Sequence, residues 1–203
     1  KGTLIGEVTG RTRILLKGER TALNILQRMS GISTLTDGFI KRLNNPKIKI
    51  LDTRKTTPNF RLFEKLAVKI GGGTNHRTGL YDMMLIKDNH IEANGGIEKT
   101  LERLTLVKKS FKIEIEVKSL FELMVVCSLG QRIVDIIMLD NFNIDEVKEA
   151  VKIADKKFKI EISGGINHDS ISKYSRIKGV DYISAGALTH SVKSLDISLD
   201  FEN

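Results

Sequence analysis

The 203-residue chain has no tryptophan, a single cysteine and only 5% aromatic residues. Each shortage removes a class of function. Few aromatics leave little with which to stack nucleic-acid bases. A lone Cys127 gives no disulfide framework, and the four histidines show no metal-ligand spacing. No apolar run is long enough to cross a bilayer. The opening Lys1-Gly2-Thr3-Leu4 lacks the apolar core of a signal peptide, so the reading is a cytoplasmic protein. The chain starts on Lys rather than Met, and a longer natural N-terminus is expected. No Gly/Pro/Ser-rich linker or low-complexity tract divides it.

What is present is a 40% hydrophobic chain, enough for one sizeable core. Lys and Arg outnumber Asp and Glu by 33 to 25, a net charge of +8. Such a field draws polyanions, phosphorylated metabolites among them. The basic residues are scattered, with no long arm and no aromatic interleaving, which points away from nucleic acid and membrane.

Short apolar, β-branched runs fall at 48–51, 83–86, 113–117, 135–139, 159–162 and 181–184, with 195–199 as a possible seventh. Most are too continuous for a half-exposed sheet and suit parallel strands covered on both faces. Amphipathic stretches lie between them. Phe63, Leu66, Ala67 and Ile70 share one helical face, as do Val147, Ala150, Val151 and Ala154. Asn143 with Glu146 three residues on resembles a capping signal. An earlier helix carries Ala22, Ile25, Leu26 and Met29 and is expected to begin near Glu19. Residues 1–17 read as strand-like and outside the alternation. Repeated strand-helix alternation means an α/β domain with right-handed crossovers. The G-x-G-x-x-G of a dinucleotide-binding sheet is missing. Polar and Gly-rich clusters instead follow nearly every strand, the habit of a TIM-like (β/α) barrel.

Those clusters carry the candidate chemistry. Ser163-Gly164-Gly165 and the later Ala185-Gly186 follow strands and precede helices. Small residues there let backbone N–H groups approach an anion closely, and the two late strand ends are where barrels bind phosphate. Arg54, Lys55, His76, Arg77 and Lys87 would collect at one rim, able to hold a small molecule with several carboxylates or phosphates. Glu114 and Glu116 alternate with Ile113, Ile115 and Val117, so both face the barrel interior. Glu116 with Asp140 could hold ribose hydroxyls or a hydrated Mg²⁺, or form an internal salt bridge to Lys87 or Arg54.

In this order, the clusters resemble the quinolinate phosphoribosyltransferase family. The resemblance rests on Glu19-Arg20-Thr21-Ala22-Leu23-Asn24, Ser30-Gly31-Ile32-Ser33-Thr34, the run from Leu51 to Thr57, and Gly72-Gly73-Thr74-Asn75-His76-Arg77-Thr78-Gly79-Leu80. Leu85-Ile86-Lys87-Asp88-Asn89-His90-Ile91 is its strongest part; Glu114-Ile115-Glu116-Val117, Met138-Leu139-Asp140-Asn141-Phe142 and Ile162-Ser163-Gly164-Gly165-Ile166 complete it. Asn59 departs from an expected Gly and Leu66 from an expected aromatic.

The resemblance implies an incomplete seven-stranded α/β barrel over 18–203. Residues 1–17 would then be the tail of a mostly missing N-terminal α/β sandwich domain. It also implies a homodimer that transfers phosphoribosyl from phosphoribosyl pyrophosphate to quinolinate with loss of CO₂, using Mg²⁺. Carried over by position, Arg54, His76, Arg77 and Lys87 would line the quinolinate pocket, with Lys55 close by and Arg20 reaching in from the partner. Glu116 and Asp140 would hold the ribose and Mg²⁺, and Ser163, Gly164, Gly165 and Gly186 the 5-phosphate. Lys55, Lys87, Glu116 and Asp140 are the candidates closest to the reaction. Two enzyme-like alternatives share the barrel: a relative linked to molybdenum transport, and a Schiff-base aldolase using Lys87 as nucleophile. A basic nucleic-acid-binding module is the alternative from another class.

Overall fold

The computed structural model describes residues 2–107 and 110–201. Six strands form one sheet: β1 (Lys49–Leu51), β2 (Met84–Ile86), β3 (Ile113–Val117), β4 (Ile136–Asp140), β5 (Lys159–Ser163) and β6 (Tyr182–Ser184). The order is β1-β6-β5-β4-β3-β2, with every neighbouring pair parallel. These are the six runs read from the sequence. The expected seventh, 195–199, is not a strand. Its backbone is taken by a helix instead: Leu195 N–H donates to Gln27 C=O at 3.2 Å, and the Gln27 amide donates to Ile197 C=O at 2.9 Å. Beside β1 the free edge is met by Thr74, which bridges Leu51 in parallel.

Alternation sorts the strand side chains into two sets. Ile115, Ile137, Leu139, Ile160, Ile162 and Ile183 are fully buried in the apolar core beneath the helices. The opposite set includes Leu85, Glu114, Glu116, Ile136, Met138 and Glu161, also buried but outside that core cluster. A sheet with helices on one face and buried residues on the other must curl over its inner face. The approach of His76, which follows the Thr74 bridge, to Glu114 on β3 shows that curl directly.

Among the described residues seven α-helices accompany the strands: α1 (Thr12–Leu43), α2 (Arg61–Ile70), α3 (Asp88–Ala93), α4 (Ile97–Thr105), α5 (Leu120–Leu129), α6 (Ile144–Ala154) and α7 (Ala187–His190). The expected cap of α6 is present: Asn143 accepts from Glu146 N–H at 3.0 Å while Glu146 accepts from Asn143 N–H at 2.8 Å. Two expectations are corrected. α1 begins at Thr12, not near Glu19, so 12–17 are helical rather than strand-like, and residues 2–10 hold no strand. Once the packed half around Ile32 and Phe39 has nucleated the helix, extending it through helix-forming Leu, Lys, Arg and Glu costs little. α2 is a helix, but its expected apolar face is largely outside: Leu66 and Ile70 are exposed, while Glu64, Lys65, Ala67 and Val68 are buried.

Leu139→Ala tests the outer core. It deletes a side chain with no exposure, between helices that cannot collapse far. A loss of about 2–5 kcal/mol is expected in denaturant unfolding. A loss below about 1 kcal/mol would place Leu139 outside the packed layer.

Candidate active site

The β1–α2 and α2–β2 connections have little regular structure, so side chains hold them. Asp52, fully buried just past β1, accepts from the His76 N–H at 2.9 Å and takes the Lys65 ammonium and the Asn75 amide. Lys65 also donates to the His76 C=O at 3.0 Å. Burial pushes the Asp52 carboxyl above its usual range, and Lys65 works against that shift. The buried pair therefore clamps the Gly-rich 71–77 segment against β1.

That clamp presents Arg77. Its residue surface is only 7% exposed, yet among the described residues no hydrogen bond or ion pair engages its guanidinium. Burial lowers its pKa and neighbouring Arg54 lowers it further, while the charges of Glu114 and Asp82 oppose that shift only in part. A buried cation next to a second cation is costly unless an anion completes it. Arg54 and Lys55 are exposed on the loop after β1. Lys87, after β2, lies 2.7 Å from Glu116 on β3, so the anticipated internal salt bridge exists. Asp140 ends β4, and its Oδ2 accepts from the Asn141 amide at 2.8 Å. In register Glu116 pairs with Met138, so Asp140 sits one inward-facing step beyond Glu116 on the adjacent strand.

The glycine turns differ from one another. Gly164 has φ +95°, and a Cβ there would stand 2.7 Å from the Asn141 backbone N. Gly165 has φ +60° and open space where its Cβ would be. Gly186 lies against Lys55: a Cβ would meet the Lys55 Cδ at 3.1 Å. The N–H groups of Gly165, Ile166, Gly186 and Ala187 find no acceptor among the described residues. Gly164 is therefore required for packing, whereas Gly165 and Gly186 leave backbone donors open.

Beneath the rim lies a cluster that composition alone does not reveal. His76 Nε2 is 2.9 Å from Glu114 Oε2 and 3.5 Å from Glu161 Oε2. All four carboxylate oxygens are buried without a hydrogen-bond partner. Burial and the Glu161 charge raise Glu114 to about 7. Burial pushes His76 down, but Glu114 and Glu161 outweigh it and raise the ring to about 10. That direction conflicts with Nδ1, which accepts from the Arg77 N–H at 2.8 Å and so carries no proton. The geometry favours a neutral ring with its proton on Nε2, beside a Glu114 carboxyl that burial holds toward its protonated form. The three ligand-type atoms lie within 4.8 Å of one another. A histidine binding metal through Nε2 donates from Nδ1, whereas this one accepts there, so the trio is a proton-sharing cluster rather than a metal centre.

The structure thus gathers Arg54, Lys55, Arg77, Lys87, Glu116, Asp140, Ser163, Gly164, Gly165 and Gly186 at one end of the sheet. His76 is there as well, but its backbone N–H, C=O and Nδ1 are hydrogen-bonded from within and its Nε2 lies against Glu114 at 2.9 Å. Within its own chain Arg20 lies away from this group: its side chain is 69% exposed on α1 and, among the described residues, pairs with Glu19 at 3.4 Å. The sequence reading missed Asp52, Lys65 and Glu161. The Ile160-Glu161-Ile162 alternation, the same signal that exposed Glu114, could have found Glu161.

Two outcomes follow. Glu114 binds its proton more tightly folded than at its ordinary value of 4.5. A carboxyl raised in this way contributes stability that is complete below the ordinary value and lost as pH rises through about 7. The melting temperature should fall between about pH 5 and about pH 7, with Glu114→Gln flattening that fall; a flat wild-type profile would refute a proton held on Glu114. Second, Gly165→Ala should leave the fold intact at a cost of about 1–2 kcal/mol for a left-handed residue. Gly164→Ala, which collides with Asn141, should cost more, and equal losses by thermal melting would contradict the packing difference.

A family model described as the quinolinate phosphoribosyl transferase C-terminal domain matches residues 32–200. A probable nicotinate-nucleotide pyrophosphorylase (carboxylating) of Bacillus subtilis is 46% identical over 201 residues, covering 98% of this chain and 68% of that protein. Quinolinate phosphoribosyltransferase (decarboxylating) 1 of Nicotiana glauca is 41% identical, covering 100% of this chain and 61% of its own length. The chain therefore spans about two thirds of these relatives. The crystal structure of NadC from Streptococcus pyogenes superposes with a TM-score of 0.87 at 42% identity, covering 95% of this chain and 67% of that one. With its cationic rim, paired acids and open glycine turns at one end of a parallel sheet, the chain belongs to the quinolinate phosphoribosyltransferase family.

Proposed function

We propose that the chain is the catalytic part of a quinolinate phosphoribosyltransferase, which makes nicotinate mononucleotide, pyrophosphate and CO₂ from quinolinate and phosphoribosyl pyrophosphate. The observation that carries this reading is Arg77, a buried guanidinium with no direct hydrogen bond or ion pair among the described residues, beside Arg54 on a rim that also offers unused backbone N–H groups. A planar dicarboxylate supplies what the first lacks, and a phosphate what the second lacks.

In this reading Arg77, Arg54 and Lys87 hold quinolinate, with Lys55 at the edge, and His76 supports Arg77 from below. Gly165, Ile166 and Gly186 offer N–H groups to the 5-phosphate, while Ser163 and Gly164 shape that turn. Glu116 and Asp140 hold the ribose hydroxyls. The donor set fits a hydrated Mg²⁺: two inward-facing carboxylates on adjacent strands, one of them tied to Lys87 by only one oxygen. Bound there with pyrophosphate, the ion would neutralise leaving-group charge.

The chemistry needs no protein nucleophile. The C1–O bond to pyrophosphate breaks, and the electron pair leaves with pyrophosphate. The pyridine nitrogen forms the C1–N bond with its own lone pair. The pyridinium then accepts the electron pair released as CO₂ leaves the 2-position, and a proton takes its place on that carbon. The chain's part is orientation and fixed charge. Lys87, held at 2.7 Å by Glu116, serves as a point charge, which disfavours the Schiff-base alternative. The curled sheet would be the family's incomplete barrel, with the Thr74 bridge in the place of a seventh strand. A second copy in a cytoplasmic homodimer would bring Arg20 to the rim.

Quinolinate-dependent release of CO₂ and pyrophosphate tests the reading, and its absence in the full-length protein would overturn it. Arg77→Ala should weaken quinolinate by about 1.5–3 kcal/mol, the range of a charge-assisted hydrogen bond, and leave phosphoribosyl pyrophosphate nearly unchanged. Calorimetric titration showing the reverse would remove Arg77 from the dicarboxylate pocket.

A further inference from the structure

The loop bearing Arg54 and Lys55 has no helix or strand of its own, yet two fully buried side chains hold it. Glu64 on α2 accepts from the Thr57 N–H at 3.1 Å and the Thr57 hydroxyl at 2.9 Å. Thr189 on α7 donates its hydroxyl to the Lys55 C=O at 2.7 Å. These anchors come from opposite ends of the chain, and one guanidinium joins them. Arg28 on α1 donates to Glu64 Oε1 from Nε at 3.0 Å and from Nη2 at 2.8 Å. Its Nη2 also donates to the Thr189 C=O, and its Nη1 to the Val192 C=O at 3.4 Å. The result is a bracket: Thr57 to Glu64, to Arg28, to Thr189, and back to Lys55. Nearby, the Lys55 stem occupies the space beside Gly186, where a Cβ would meet it at 3.1 Å.

We propose that Arg28 is a positioning residue which, through Glu64 and Thr189, fixes the Arg54–Lys55 loop against the Gly186 turn and so sets the distance between the dicarboxylate and phosphate halves of the site. The proposal rests on the function proposed above. Only a planar fork can satisfy Glu64, Thr189 and Val192 at once, because a lysine ammonium is a single point. The bracket lies behind the loop, on the α1 side, so it acts through the loop's backbone. The reacting centres of the two substrates must meet within a fraction of an ångström, and a displacement of about 1 Å costs on the order of a hundredfold in rate. Arg61 also ties the loop, donating to the Thr56 hydroxyl at 2.9 Å, the Arg54 C=O at 3.3 Å and the Thr78 C=O at 3.0 Å, so it holds the Arg54 side toward the 77–79 turn and leaves Lys55 and the Gly186 side to the bracket.

Arg28→Ala would strand the buried Glu64 charge and risks unfolding the chain. Thr189→Val is the informative variant, since it keeps the shape and removes the hydroxyl that ties Lys55 C=O at 2.7 Å and, more weakly, Gly186 C=O at 3.2 Å. Hydrogen exchange of the Lys55–Thr57 amides and steady-state turnover of quinolinate would be measured on wild type, Thr189→Val, Thr189→Ser and Arg28→Lys. The expected result is at least about tenfold faster loop exchange in Thr189→Val and Arg28→Lys, with unchanged exchange in β3–β5. In both, kcat should fall on the order of tenfold to a hundredfold while KM for phosphoribosyl pyrophosphate changes little, and Thr189→Ser should restore both readouts. Wild-type exchange in the loop, or a loosened loop with wild-type kcat, would overturn the proposal. A wild-type protein without quinolinate turnover would instead refute the function on which it rests.

Discussion

Two carboxylates on the inside of a curled sheet constrain everything above them. Glu114 and Glu161 have no exposed surface, and among the described residues His76 Nε2, 2.9 Å from one and 3.5 Å from the other, is the donor that approaches their oxygens. Left ionised and alone, such a pair would not be tolerated in a dry interior. The relief is His76, which brings one N–H, and the raised Glu114 carboxyl. His76 can reach them only because Asp52 and Lys65 hold the 71–77 segment against β1. Arg77 follows His76 directly, so the same clamp that settles the interior aims a bare guanidinium at the rim.

This arrangement couples stability to the site without a shared pool of flexible loops. The rim is made of connections rather than strands, and each is tied by a buried side chain from a distant element: Asp52 for 74–77, Glu64 for Thr57, Thr189 for Lys55. Buried ionic ties of this kind add little net stability compared with apolar packing, but they specify one geometry. A site that works by orientation and fixed charge depends on that geometry more than on any reactive group. It also explains why α2 turns Glu64 and Lys65 inward and leaves Leu66 and Ile70 outside. The helix is there to hold loops as well as to cover the sheet.

The sequence by itself determined the six strands and most helices, because a strand covered on both faces needs a continuous apolar run and that need is local. It also determined the inward direction of Glu114 and Glu116, which period-two alternation dictates, and the order of chemical clusters at strand ends. It misjudged the start of α1, where helix propagation overrode a β-branched opening, and the face of α2. Only the tertiary structure decided that 195–199 would pair with Gln27 rather than join the sheet, that Gly164 is filled by Asn141 while Gly165 is open, and that Arg28, Glu64 and Thr189 form one bracket. Such contacts join residues as far apart as 28 and 189. Their energies depend on burial and on which donors are left unpaired, and neither quantity exists until the chain has closed on itself.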